Sequence, residues 1–174
     1  MTCIVAVTDG QQVTMGGDSA GSNGWTMQVR SDTKVFILGP YVLGFTSSFR
    51  MGQLLRYSLT IGAPDTWDVD RFMATTFIDA VRSTLKEGGF ATTKDGGEVG
   101  GTFLVGVAGR LYEIGSDYQI GYMVALGALH AMSAVTDLAP AERVTRALDA
   151  AADLTATVRG PYSVVQGEPT ATGA

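Results

Sequence analysis

Three residues near the start of this chain have side-chain types and spacing that suit nucleophilic catalysis. Thr2 follows Met1, and methionine before a small residue is usually removed, which would leave a threonine with a hydroxyl nucleophile and a free amine. The amine, with a pKa of about 7.7–8.0, can accept the hydroxyl proton near neutral pH. Asp18 and Lys34 follow at even spacings of 16 residues. A lysine near the amine would lower the amine's pKa, and an aspartate would keep that lysine charged.

Each of these residues taken alone has an ordinary structural explanation. Many chains begin Met-Thr with an inert threonine. Asp18 ends a strand-like run at a turn, and Lys34 opens the next apolar run, as a solvated charge often does. The prediction of a threonine-based catalytic site therefore depends on the three residues together.

The frame around them resembles a known family. The segments Thr-x-Ile-Val-Ala-Val, Gly-Gly-Asp and Lys-Val are similar to those of N-terminal-nucleophile hydrolases of the proteasome β type, and most of all to the HslV type of bacterial ATP-dependent protease subunit. The similarity is ungapped from Thr2 to Lys34, continues with a small deletion through 42–47, and extends at the level of fold to about residue 165. It implies that Thr2 is the nucleophile, that Asp18 and Lys34 are its charge partners, and that the backbone N–H of Ser47 stabilises the oxyanion. Serine in place of the family's glycine is compatible with that role because the donor is main chain.

One element of the family pattern is missing. The family has a Gly-Ser-Gly element before its fourth helix, and the serine helps to hold the terminal amine. The corresponding stretch, 119–126, reads Gln-Ile-Gly-Tyr-Met-Val-Ala-Leu and lacks that serine, although Ser116 lies a few residues earlier. Because of this departure, a catalytically inactive protein remains an alternative to an active enzyme.

The resemblance also implies a cation site after the last helix. Its ligands would be the main-chain carbonyls of Ala152, Thr155 and Val158, which need no acidic side chain. We expect no cofactor to be required for the chemistry itself, and a monovalent cation as the occupant of this site.

Composition narrows the class of protein. Of the 174 residues, 45% are hydrophobic and 17% are charged, with a net charge of −5 and no lysine or arginine run, which argues against a nucleic-acid partner. Cys3 is the single cysteine, so no intrachain disulfide can form. No apolar run is long enough to span a membrane, and the start lacks the basic region of a signal peptide. These features favour a cytoplasmic location without membrane contact.

Hydrophobic periodicity predicts one domain over residues 1–166 and a disordered tail over 167–174. We expect Thr2 and Lys34 to begin adjacent strands of one sheet, with Asp18 ending a strand beside them, and an irregular loop over 19–33. The predicted strands are 2–8, 12–18, 34–38, 41–46, 102–107, 110–114 and 161–165, the predicted helices are about 48–59, 68–86, 122–135 and 140–157, and 91–100 is a predicted loop. Helix pairs between strand pairs indicate an α+β fold, a four-layer α-β-β-α sandwich of two antiparallel sheets, which is also the proteasome-like fold that the resemblance implies.

Three functions remain open from the sequence. The first is a threonine endopeptidase subunit of a self-compartmentalised protease that degrades unfolded polypeptides. The second is a catalytically silent structural subunit of the same kind, and the third is a stand-alone N-terminal-nucleophile amidohydrolase. The resemblance implies a homo-oligomeric ring, a stacked hexamer or heptamer, supplied by an ATP-dependent unfoldase.

Overall fold

A computed structural model describes residues 3–22, 26–64, 67–94, 96–122, 137–154 and 158–169. The strands are β1 (Ile4–Thr8), β2 (Val13–Gly17), β3 (Ala20–Ser22), β4 (Met27–Val29), β5 (Val35–Leu38), β6 (Tyr41–Phe45), β7 (Thr92–Lys94), β8 (Gly97–Val99), β9 (Phe103–Val107), β10 (Arg110–Ile114), β11 (Ile120–Tyr122) and β12 (Ser163–Gln166). The helices are α1 (Phe49–Tyr57), α2 (Val69–Phe72), a π-helical segment (Met73–Phe77), α3 (Ile78–Glu87) and α4 (Pro140–Leu154).

The strands form two main antiparallel sheets and two small hairpins. The smaller main sheet has three strands in the order β1-β2-β12, and the larger has five in the order β11-β10-β9-β6-β5. In the main sheets, short turns join the paired strands β1–β2, β5–β6 and β9–β10. At one of these turns Ala108 and Gly109 both have positive φ, the backbone of a type I′ hairpin turn. The hairpins β3–β4 and β7–β8 lie outside both main sheets.

The two main sheets pack face to face, with helices outside them. Between the sheets lies an apolar layer that includes Met15 and Val42. Helix α4 covers the outer face of the three-stranded sheet through Val144 and Leu148. The outer face of the five-stranded sheet is covered by α1, the π-helical segment and α3. The predicted four-layer α-β-β-α sandwich is therefore confirmed.

Helix starts follow from local capping. The Ser48 side chain accepts hydrogen bonds from the N–H groups of Arg50 and Met51, which fixes the first turn of α1. The Asp68 side chain accepts from the N–H of Arg71 at the start of α2. The predicted helix over 68–86 is thus present, but a π-helical segment interrupts its hydrogen-bond pattern.

The structure corrects several sequence-based predictions. β1 and β5 lie in different sheets, so the expectation that Thr2 and Lys34 begin adjacent strands of one sheet is wrong. The reason is that the chain crosses between sheets after β2, by way of the β3–β4 hairpin. That hairpin lies where an irregular loop was expected over 19–33, and β7–β8 replaces the loop expected over 91–100.

Other predictions fall partly outside the described residues. The expected helix over 122–135 cannot begin at Tyr122, which ends β11, and the rest of that range lies outside the described residues. The last helix is described to Leu154 rather than to 157. In the expected tail, the Gly167 N–H donates to the Val13 carbonyl, and residues 170–174 lie outside the described residues.

Candidate active site

The site is built around a buried ion pair between the two sheets. Asp18 follows the last residue of β2 and Lys34 precedes the first residue of β5. Both are only 1% exposed. The Lys34 Nζ donates to Asp18 Oδ1 at 2.9 Å and to the Ala20 carbonyl at 2.5 Å. A buried charge without a partner is strongly unfavourable, and each of these charges has one.

The Asp18 carboxylate also binds the backbone on both sides. Its Oδ1 accepts from the Cys3 N–H at 3.0 Å, and its Oδ2 accepts from the Ala20 N–H at 3.0 Å. The Asp18 N–H in turn donates to the Cys3 carbonyl at 3.3 Å. The carboxylate therefore links the start of β1, the start of β3 and the Lys34 ammonium.

Close approach of the two sheets at this end depends on glycines. A Cβ on Gly17 would lie 2.8 Å from Ile4 Cδ1 and 3.5 Å from the Cβ of Lys34. A Cβ on Gly44 would lie 2.5 Å from Met15 Sδ. Both distances below 3.0 Å mean that the neighbouring side chains would have to move, so the side chains at this end of the sandwich pack closely only because these two positions lack a Cβ.

Cys3 lies beside the pair, but its chemistry is suppressed. Burial raises the pKa of the Cys3 thiol, and the negative charge of Asp18 raises it further, while Lys34 opposes the shift. The reactive form of cysteine is the thiolate, so at neutral pH Cys3 is a half-buried thiol and not a competing nucleophile.

Ser47 lies at the same end of the five-stranded sheet as Lys34. The Phe45 N–H donates to the Lys34 carbonyl at 3.1 Å, and Ser47 follows two residues later. Its side-chain Oγ accepts from the Thr102 N–H at 3.1 Å. Gly101 packs against it, since a Cβ there would lie 2.4 Å from Ser47 Oγ. The serine side chain thus fixes the local backbone.

Sequence reasoning missed a cluster of three residues next to Lys34. The Arg30 guanidinium donates to both carboxylate oxygens of Asp32, at 2.7 and 2.6 Å, and this pairing holds the pKa of Asp32 below its usual range. The guanidinium carbon lies 4.0 Å from the ring centroid of Phe49, and the Lys34 Nζ lies 5.7 Å from the same centroid. No sequence periodicity relates residues 30, 32 and 49, so this cluster could not be predicted from the sequence and is seen only in the tertiary structure.

The structure brings only some of the predicted site residues together. Asp18 and Lys34 are in contact, and Ser47 lies at the same end of the sandwich. Thr2 lies outside the described residues. Ser116 is in the β10–β11 connection, where its carbonyl accepts from the Gly100 N–H at 2.7 Å.

The predicted cation ligands are only partly described. Ala152 lies in the last turn of α4, Val158 is buried beyond it, and Thr155 is outside the described residues. Carbonyls in the last turn of a helix lack the usual intrahelical partner, so the Ala152 carbonyl suits a main-chain ligand chemically. Among the described residues there is no cluster of three or more histidine, cysteine or acidic side chains that could hold a metal ion.

Among the clefts in the described part of the chain, one lies beside α1 and another beside α2. A small one of about 60 Å³ opens beside Phe49 and is lined by Asp32, Phe45, Gln53 and Arg56 among others. A larger, open groove of about 680 Å³ lies between the α1–α2 connection and α2, beside the fully exposed Trp67. The larger groove does not include Asp18 or Lys34. None of the helices described here has the length and apolar character needed to cross a membrane.

By sequence, the chain matches no protein-family model and no curated protein. Solved structures do match along nearly its whole length. BPH of Thiobacillus denitrificans has 17% identity and a TM-score of 0.75, covering 99% of this chain and 100% of its own. HslV of Trypanosoma brucei has 19% identity and a TM-score of 0.62, covering 97% of this chain and 99% of its own. The chain has the proteasome-like N-terminal-nucleophile hydrolase fold. Anbu, the ancestral beta-subunit of Yersinia bercovieri, shares this proteasome-like fold at 13% identity and a TM-score of 0.62, covering 98% of this chain and 82% of its own.

Proposed function

We propose that this chain is a threonine-type endopeptidase subunit of a self-compartmentalised, proteasome-like and HslV-like protease that degrades unfolded polypeptides. One observation carries the proposal: the Asp18 carboxylate binds both the Cys3 N–H and the Lys34 ammonium. Since Thr2 is bonded directly to Cys3, a chain that begins at Thr2 begins beside a fixed positive charge.

In the proposed reaction, the Thr2 hydroxyl attacks the scissile carbonyl while the terminal amine takes its proton. Lys34 lowers the pKa of that amine and so favours its neutral, basic form. The Ser47 N–H donates to the oxyanion, the amine returns the proton to the leaving amine, and water hydrolyses the resulting ester. Asp18 holds Lys34 charged and in place.

Substitution of the nucleophile tests this mechanism. We expect Thr2→Ala to abolish cleavage of fluorogenic peptides and of unfolded casein, and Thr2→Ser to retain part of it, because serine keeps both the hydroxyl and the amine. Thr145→Ala is the matched control, since the Thr145 hydroxyl donates to the Ala141 carbonyl within its own helix, α4.

Two mass measurements accompany the kinetics. Intact mass must show the loss of Met1, because an amide nitrogen on Thr2 could not act as a base. Epoxomicin, found in complex with the Thiobacillus denitrificans BPH, should add its mass to the wild type and not to Thr2→Ala. Equal hydrolysis by Thr2→Ala and wild type would refute the assignment.

A catalytically silent structural subunit is the second candidate. It is favoured by the missing serine in 119–126, where β11 carries Ile120, Gly121 and Tyr122. A large assembly with Met1 removed but without peptidase activity would support it. A stand-alone amidohydrolase would instead be an active monomer.

The proposal also covers the assembly, the partner and the location of the protein. We propose a homo-oligomeric ring of stacked hexamers or heptamers, an ATP-dependent unfoldase as partner, and a cytoplasmic location. The Pseudomonas aeruginosa Anbu complex forms a helical assembly, which supports self-association of this fold. A monovalent cation on the carbonyls of Ala152, Thr155 and Val158 is also proposed. Activity that stays the same when monovalent salts are exchanged would count against a functional ion.

A further inference from the structure

The Lys34 ammonium has two different sides. On one side its protons reach Asp18 and the Ala20 carbonyl. On another side the nearest described aromatic group is the ring of Phe49, the first residue of α1, at 5.7 Å from Nζ to the centroid. The face of an aromatic ring attracts a cation within about 6 Å, so the ring lies at the outer limit of a favourable contact.

The ring of Phe49 is fixed by its own neighbours. Arg30 stacks over it at 4.0 Å, and the Phe45 ring meets it edge to face, at 5.7 Å and 80°. Arg30 is itself fixed by its two hydrogen bonds to Asp32. Gly21 leaves room for this arrangement, since a Cβ there would lie 2.8 Å from Arg30 Cδ. The Asp32 carboxylate also offsets the positive charge that Arg30 would otherwise present to Lys34.

We propose that Phe49, held by Arg30 and Asp32, is a positioning residue for the Lys34 ammonium. Its ring closes one side of the Lys34–Asp18 pair, keeps water and solutes from Nζ, and holds the ammonium in place beside Asp18. Among the described residues, the charged and titratable groups around Lys34 are Asp18 after β2, Cys3 before β1, and Arg30 and Asp32 before β5. A role for this contact in catalysis rests on the proposed function. The shielding of Lys34 by Phe49 does not depend on that function.

Site-resolved acetylation of lysine is the direct test. The chain has only three lysines, Lys34, Lys86 and Lys94, and the exposed Lys86 is an internal reference. Reaction with acetic anhydride requires an amine that the reagent can reach, so loss of the shielding ring raises the rate. We expect Phe49→Leu to raise the Lys34 rate, relative to Lys86, about threefold or more, the factor that loss of a weak cation–π contact gives. The double variant Arg30→Gln/Asp32→Asn removes the group that holds Phe49 without changing the net charge beside Lys34, and it should raise the rate less.

Matched variants separate positioning from packing. Phe49→Tyr keeps the ring and should restore the wild-type Lys34 rate, a rescue that loss of packing alone would not predict. Tyr57→Leu removes an exposed aromatic from the same helix, where it faces Arg56 instead, and should leave Lys34 unchanged.

The result that overturns the proposal is a wild-type Lys34 rate in folded Phe49→Leu and in Arg30→Gln/Asp32→Asn. If Phe49→Leu does not fold, as judged by circular dichroism, the charge-neutral double variant decides the question, because both of its side chains are partly exposed. The measurement works equally in Thr2→Ala. A protein without peptidase activity whose Lys34 rate rises in Phe49→Leu would therefore refute the proposed function while supporting this inference.

Discussion

At the scale of single residues, the Lys34–Asp18 pair contributes to stability and, in the proposed mechanism, to catalysis. Each partner is almost wholly buried, so the two charges depend on each other and on the backbone groups of Cys3 and Ala20. Removing one partner of a buried pair leaves an uncompensated charge, which typically destabilises a protein by about 3–5 kcal/mol. Replacing both partners avoids that penalty.

We therefore expect Asp18→Asn to lower the free energy of unfolding by about 3 kcal/mol or more, measured by urea denaturation. The double variant Asp18→Asn/Lys34→Met should recover much of this loss. Glu142→Gln is the control, because Glu142 and Arg146 form an exposed i,i+4 pair that contributes under about 1 kcal/mol. A loss as small as that of Glu142→Gln would contradict the buried-pair interpretation.

The same pair has a separate catalytic prediction. Lys34→Ala should reduce peptide hydrolysis by about a hundredfold or more, as removal of a charge-stabilising group does. Activity is measured as kcat/KM on protein shown to be folded. Full activity in Lys34→Ala would remove Lys34 from the mechanism without affecting its structural role.

At the scale of elements, glycines allow the two sheets to pack closely. The role of these glycines cannot be predicted from helix or strand propensity. We expect Gly44→Ala to lower the free energy of unfolding by about 1–3 kcal/mol, the usual effect of overpacking, because its Cβ would lie 2.5 Å from Met15 Sδ. Gly62→Ala is the matched control, since a Cβ at Gly62 meets nothing within 4 Å. Similar losses for both substitutions, measured by urea denaturation, would contradict this view of the sheet contact.

A second contact between elements connects α2 to β10. The Tyr112 hydroxyl donates to Asp70 Oδ1 at 2.6 Å, and Arg110 donates to Oδ2 at 2.7 Å. The Tyr112 hydroxyl, aided by Arg110, holds the pKa of Asp70 below its ordinary value. A lowered folded-state pKa means that the stabilisation is present above the unfolded carboxyl pKa of about 4 and is lost as pH falls through the folded value.

Tyr112→Phe should accordingly lower the free energy of unfolding at pH 7 by about 1 kcal/mol. Solvent limits this value, because the Asp70 side chain is 60% exposed. The difference from wild type should shrink as pH falls below about 4, measured by denaturation at several pH values. Asp79→Asn is the control, since Asp79 pairs only weakly with Arg82, at 3.4 Å. A Tyr112→Phe effect that is independent of pH would show that the Asp70 carboxylate does not carry it.

At the scale of the whole molecule, the proposed protease must enclose its active sites. An active peptidase with an open site would degrade other proteins of its cell, so we expect a ring built by heterologous contacts between copies. Light scattering at micromolar concentration should give a mass several times the 18.2 kDa of one chain. A monodisperse active monomer would contradict the chamber and favour the stand-alone amidohydrolase.

Much of the fold follows from local sequence. The hairpins β1–β2, β5–β6 and β9–β10 and the Ser48 cap of α1 depend on residues close together in the chain, through turn glycines, alternating apolar residues and a side-chain cap. Such short-range signals need no knowledge of distant contacts. The β3–β4 and β7–β8 hairpins were missed because their strands are only three residues long and rich in polar residues and glycine.

The sequence by itself determined the order of the longer strands and helices, the four-layer sandwich and the residue types at 2, 18 and 34. Only the tertiary structure decided that Asp18 and Lys34 meet between two sheets rather than within one, because that contact depends on the crossover after β2, which places β2 and β5 in different sheets. The Arg30, Asp32 and Phe49 cluster was decided there as well. Its contacts join a loop to a helix start, where no periodicity in the chain relates one residue to another.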